Sequence, residues 1–139
     1  MKLVQRLFES RYRVYWEDTD AGGVVYHSRY LNFMERARTD CLLALGLGQA
    51  ELKSKAERLF VVTRVEMDFL APARLEDELV VETGVESMRK ASMVFSQTIT
   101  RGADQLLLNR ALVSVACLDA THFKPARLPE PLVAALKIS

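Results

Sequence analysis

The sequence predicts an α+β domain in which an antiparallel five-stranded sheet wraps one long central helix. Three observations predict it: a helix-length apolar run follows a first strand-like segment, four further strand-like segments fill most of the remaining chain, and the breaks between strands are mostly tight enough to favour antiparallel neighbours. The 139 residues suffice for one core and leave little room for a second, so residues 1–139 are read as a single domain.

Residues 11–17, RYRVYWE, set Tyr12, Val14 and Trp16 against Arg11, Arg13 and Glu17, the two-faced pattern of a strand, which is expected to end near Asp18. A turn-rich DTDAGG follows. From about residue 28 to residue 45 the chain is helix-length, with Leu31, Met34, Leu42 and Leu45 as apolar positions and Gly46 and Gly48 as its stop. Its end, CLLALGL, keeps hardly any polar face, which predicts a helix wrapped by other structure. Residues 49–57 are a polar connector with room for a short helix. Strands are then expected over residues 59–70, Glu78–Met88, Ser92–Arg101 and residues 105–118, with breaks at Ala71-Pro72-Ala73, Arg89-Lys90 and Gly102-Ala103-Asp104. The tail from Lys124 carries Pro125, Pro129 and Pro131, begins extended and closes with a short helix over residues 132–137.

Composition narrows the function classes. Nineteen basic residues against eighteen acidic ones leave a net charge of +1, so no global field draws in nucleic acid or an anionic membrane. No secretory leader or membrane span is read, and the expectation is a soluble, cytoplasmic protein. Cys41 and Cys117 sit in apolar neighbourhoods without CxxC spacing and are expected to be reduced, buried thiols. His27 and His122 are too few and too far apart in sequence to suggest a metal site, and no cofactor is expected.

The chemistry concentrates in WEDTDAGGVVYH, residues 16–27, between the end of a strand and the start of the helix. Glycine lets a backbone approach a ligand closely, and the first turn of a helix offers unpaired N–H groups and the positive end of its dipole. These are the parts of an oxyanion hole, in which one donor is worth on the order of 3 kcal/mol. The backbone N–H near His27 is the candidate donor, and Asp20 is the candidate carboxylate to attack a carbonyl or to activate water. An ordinary Asx turn is the competing account of the same residues.

The run RVYWEDTDAGGVVYHSRYLNFMERAR resembles the N-terminal signature of hot-dog-fold acyl-CoA thioesterases of the 4-hydroxybenzoyl-CoA thioesterase class, and most closely its YbgC branch, which is associated with the Tol-Pal system. VEMDFLAPARLEDEL and SMRKASMVFSQ extend the likeness to the second strand and the central hairpin, so that it covers nearly the whole chain. The resemblance implies a helix in a five-stranded antiparallel sheet, homodimers or tetramers with active sites at the dimer interface, an acyl-CoA substrate and a place in lipid metabolism. It also implies that Asp20 is the catalytic aspartate and that His27 stands at the helix start whose N–H polarises the thioester. Gly23, Val24 and Tyr26 show no departure from the motif and are expected to line the substrate.

Other residues are weighed beside these. The His27 ring is a candidate to orient water or substrate, and Glu35, about two turns further along the helix, is a rival base with pairing to Arg36 or Arg38 as its structural role. Asp18 is expected to bond its own loop. Arg89 and Lys90, at a hairpin tip, are candidates for the coenzyme A phosphates, with a solvated tip as the alternative, and Arg64 is a weaker candidate whose alternative is pairing with an acid across the sheet. His122 is assigned to the surface, and Tyr12, Tyr15 and Trp16 to core and interface packing. Two rival functions fit the same segment: a hot-dog hydratase or dehydratase, and a non-catalytic module that binds acyl carrier protein or another partner.

Overall fold

A computed structural model describes the backbone of residues 2–136 and the side chains of residues 8–136. The elements run β1 (Lys2–Arg13), a 3-10 turn (Trp16–Asp18), α1 (Arg29–Ala44), α2 (Gln49–Lys55), β2 (Arg58–Phe69), β3 (Glu78–Met88), β4 (Ser92–Arg101), β5 (Leu107–Asp119) and α3 (Glu130–Leu136). The strands form one five-stranded sheet in the order β1-β3-β4-β5-β2, antiparallel throughout. Lys137, where the tail helix was expected to end, lies outside the described residues.

The centre of the sheet follows the two-residue period of a strand. Register places Val81 beside Ile99 and Phe95 beside Val113, all buried on the face that α1 covers. Tyr30, Phe33, Met34, Ala37 and Cys41 recur at spacings of three and four and make the buried stripe of α1. Of the apolar positions expected on that stripe, Met34 and Leu42 are buried, whereas Leu31 and Leu45 face outward. Leu43 is also exposed, so a single chain covers one side of the helix rather than wrapping it.

Two polar devices fix α1. Gln97, buried on β4, donates from Nε2 to the Met34 carbonyl and to Thr83 Oγ1, both at 3.0 Å. At the helix end Gly46 takes φ +76°, and the bonds Gly46 N–H to Leu43 O (3.0 Å) and Leu47 N–H to Leu42 O (2.8 Å) close a Schellman motif.

The first strand ends earlier than its alternation suggests, at Arg13 instead of near Asp18. Val14 N–H bonds Asp77 O, and the chain then tightens into the 3-10 turn through Asp18 N–H to Tyr15 O. That turn throws Tyr15 and Trp16 outward, 62% and 79% exposed, so neither belongs to the core of the chain. Tyr12 alone packs inward, against Phe33, with its hydroxyl donated to Asp40. No helix of the described residues is long and apolar enough to cross a membrane.

Candidate active site

The loop between β1 and α1 is a small hairpin held at both ends. Thr19 bridges Val25, Asp20 N–H bonds Val24 O at 2.9 Å, and Gly23 N–H bonds Asp20 O at 3.0 Å, with Gly23 at φ +81° to close the turn. Buried Asp18 anchors the base: Oδ2 accepts the Tyr15 N–H at 2.9 Å, Oδ1 lies 3.7 Å from Arg29 Nε, and its carbonyl accepts the Tyr26 N–H. Asp18 therefore does bond its own loop, as expected.

Asp20 stands exposed at the tip of that hairpin. Its Oδ1 accepts the Gly22 N–H at 2.8 Å, which orients the carboxylate and leaves Oδ2 without a protein partner among the described residues. Along residues 22–27 the N–H groups are largely committed: Gly22 to Asp20 Oδ1, Gly23 to Asp20 O, Val25 to Ala73 O and Tyr26 to Asp18 O. The His27 N–H enters none of the hydrogen bonds of the described residues, and Arg29, next but one, begins α1. An open donor at a helix start is where an oxyanion is best received. The His27 ring is exposed and tilts against Tyr26 with centroids 4.4 Å apart.

A second segment, residues 71–77, braces the loop and is not evident from the motif alone. Arg101 bonds Asp77 Oδ2 (3.1 Å) and Pro72 O (2.8 Å), and Asp77 Oδ2 also accepts the Arg74 N–H. The braced segment receives Val25 N–H at Ala73 O and sends Ala73 N–H to the buried Tyr30 hydroxyl at 3.1 Å. Burial raises the pKa of Tyr30, so this hydroxyl stays neutral while it accepts. Phe69 packs edge-on against the Tyr30 ring at 5.6 Å. The signal for this brace in the sequence was the Pro72 turn, which marks a break but not its partners.

The remaining candidates separate. Arg89 and Lys90 line a cavity of about 360 Å³ with Arg127 and Glu130, because Leu128 N–H to Lys90 O docks the tail on the hairpin. Arg127 thus joins the pair found from sequence. Glu35 accepts from Thr39 Oγ1 at 2.6 Å instead of pairing with either arginine; Arg36 lies over the Phe33 ring and Arg38 donates to Gln97 Oε1 at 3.0 Å. Arg64 pairs with Glu66 on its own strand, not across the sheet. His122 is exposed and holds Asp119 at 3.3 Å. Cys41 and Cys117 are buried free thiols, and burial pushes the Cys41 pKa up to about 11.

A five-stranded antiparallel sheet packed on one long helix is the architecture of the hot-dog class. The thioesterase superfamily model matches residues 22–108, a stretch that begins just after Asp20. The chain is 48% identical over 132 residues to the acyl-CoA thioester hydrolase YbgC of Escherichia coli, covering 94% of this chain and 96% of that one. Among solved structures, a probable thioesterase from Bartonella henselae aligns with TM-score 0.83 at 36% identity, over 88% of this chain and 98% of that one. A 1,4-dihydroxy-2-naphthoyl-CoA thioesterase from Synechocystis aligns with TM-score 0.86 at 27% identity, over 93% and 94%. The chain belongs to the thioesterase superfamily.

Proposed function

We propose that this chain hydrolyses acyl-CoA thioesters to a carboxylic acid and free coenzyme A. The observation that carries the reading is the pairing, on one braced loop, of the exposed Asp20 carboxylate with the uncommitted His27 N–H at the start of α1. In this reading the thioester carbonyl oxygen accepts the His27 N–H, with the α1 dipole adding to the pull on developing negative charge. Asp20 then either attacks the carbonyl carbon to give a mixed anhydride that water opens, or removes a proton from the attacking water; the thiolate leaves in both. Gly23, Val24 and Tyr26 border the reacting group, and Arg89, Lys90 and Arg127 hold the coenzyme A phosphates.

The fold supports a site shared between copies. β4 starts beside Lys90 and ends beside the 71–77 brace, and ten residues at roughly 3.3 Å each set the phosphate cluster about 30 Å from the Asp20 loop of the same chain. A homodimer that brings one chain's cluster toward the other's loop shortens that span, and tetramers are pairs of such dimers. Free thiols suit a reducing, cytoplasmic setting. A thioester on acyl carrier protein is an alternative acyl donor for the same site, and the link to lipid metabolism and the Tol-Pal system rests on the family likeness.

The deciding experiment is a thiol-release screen over short, long and aromatic acyl-CoAs, with Asp20→Asn as control. Release by wild type that vanishes in the variant supports the reading; double-bond hydration without thiol release replaces it with the hydratase. A single turnover in oxygen-18 water labels the Asp20 carboxylate only on the anhydride route.

A further inference from the structure

Beside the C-terminal half of α1 lies a second cavity, of about 360 Å³, between the helix and the starts of β2 and β4. Its walls are apolar, including Leu42, Phe60, Met93 and Phe95, yet Arg38 lines it as well. Arg38 is half-buried and has one neutral protein partner, Gln97 Oε1 at 3.0 Å. That partner is itself fixed: Gln97 is 1% exposed and its amide nitrogen is spent on Met34 O and Thr83 Oγ1. The guanidinium is therefore held in place by a buried chain of hydrogen bonds rather than left to wander in solvent.

The charge balance of the cavity is incomplete. Arg38 forms no ion pair among the described residues, since Glu35 at the cavity edge turns its Oε2 to Thr39 Oγ1. Burial pulls the Arg38 pKa down, with Glu35 opposing only part of that effect from a distance. A half-buried guanidinium that has one neutral protein partner and stands beside apolar walls is completed by an anion, and a carboxylate matches its fork in two parallel hydrogen bonds.

We propose that Arg38 selects acyl-CoAs whose acyl chain ends in a carboxylate, that is, ω-carboxyacyl thioesters of medium length. The proposal deepens the thioesterase reading and rests on it. From Arg29, where α1 begins two residues after His27, to Arg38 the helix rises roughly 14 Å at about 1.5 Å per residue, and side chains on a helix lean back toward its N-terminus, so the guanidinium reaches toward the carbonyl end. A chain of about six to eight carbons, seated along α1 with its carbonyl at His27, brings its far end to Arg38. The single cation that lines the cavity among the described residues then reads the terminus.

The test compares adipoyl- and suberoyl-CoA with hexanoyl- and octanoyl-CoA in thiol release by the full chain. Wild type is expected to favour the ω-carboxy member of each pair in kcat/KM by about tenfold or more, chiefly through KM, as befits a charge-assisted pair formed in ground and transition state alike. Arg38→Met is expected to reverse the preference, and Arg38→Lys to recover part of it. Alkyl substrates hydrolysed as well as or better than their ω-carboxy partners by wild type overturn the proposal and leave the thioesterase reading standing. An unchanged ratio in Arg38→Met overturns it as well. Release from none of the four, alongside release from a long or aromatic acyl-CoA, overturns the proposal and leaves the thioesterase reading standing; release from no acyl-CoA of the wider screen overturns both. The wild-type ratio decides the matter even where Arg38→Met does not fold.

Discussion

The carboxylate of Asp20 accepts the Gly22 N–H at 2.8 Å, and a Cβ on residue 22 would stand 3.2 Å from that same oxygen. One oxygen is thereby tied to the backbone and the other presented to substrate. Asp20→Asn keeps an oxygen for the Gly22 N–H but removes the anion. It is expected to lower thiol release by a hundredfold or more, about what a general base contributes, with the melting temperature unchanged. Undiminished release would remove Asp20 from the chemistry.

The two loop glycines separate geometry from strain. A Cβ at Gly23 meets nothing within 4 Å, but φ +81° is left-handed backbone. Gly23→Ala is expected to cost about 1–2 kcal/mol in urea unfolding. Gly22→Ala has no such backbone penalty and presses on Asp20 Oδ1, so activity should fall with little change in stability. Equal stability losses in the two variants would contradict the hairpin geometry.

Asp18 is the acid that serves structure. Its removal leaves the Tyr15 N–H without its acceptor and Arg29 without a carboxylate neighbour, and the Asp18 side chain that is lost is itself buried, the residue being only 4% exposed. Asp18→Ala is expected to destabilise the fold by about 1–3 kcal/mol, the range for a buried group left unsatisfied. Hydrogen exchange should quicken at Tyr26, whose N–H bonds Asp18 O, before the core opens. A melting curve matching wild type would show the anchor to be idle.

Why one of these acids was legible from sequence and the other's partners were not follows from where their contacts come from. The Asp20 hairpin and the start of α1 are built from residues close in sequence, so DTDAGG and the apolar run reveal them. β3 and β4 keep the bounds predicted for them, Glu78–Met88 and Ser92–Arg101, because alternation and tight turns are local signals. The brace through Arg101, Asp77 and Pro72, the Tyr30 hydroxyl on Ala73 and the Arg127 contribution to the basic cluster all join distant segments. Periodicity carries no trace of such pairings. Leu31 and Leu45 illustrate the limit on α1: their hydrophobicity is plain, but which apolar residues face the sheet depends on the helix's rotation against β3, β4 and β5.

Tyr12 supplies a pH signature. Burial first, then its hydrogen bond to Asp40, raises the pKa to about 12 from 10.0. A raised folded-state pKa means that the neutral phenol is favoured by folding, so its contribution is complete below pH 10 and is lost as pH rises toward 12. Melting temperatures of wild type and Tyr12→Phe are expected to converge over that interval, after standing apart at pH 8. Parallel curves from pH 8 to 12 would count against the coupling.

β2 is an open edge of the sheet with an apolar inner face. It bonds β5 on one side only, while its register sets Val62 beside Val115, Val65 beside Val113 and Phe69 beside Asn109. Those three partners are buried under α1, whereas Val62, Val65 and Phe69 are 50%, 38% and 57% exposed. Apolar side chains on the inner face of an open edge strand favour pairing with a second strand, and a second copy would supply one antiparallel to it. Val65→Glu places a charge at the middle of that edge and sits too near the surface to unfold a single chain. It is expected to shift sedimentation from dimer to monomer and to abolish thiol release with the Asp20 loop untouched. A wild-type chain that sediments as a monomer while fully active would instead confine the whole site to one copy.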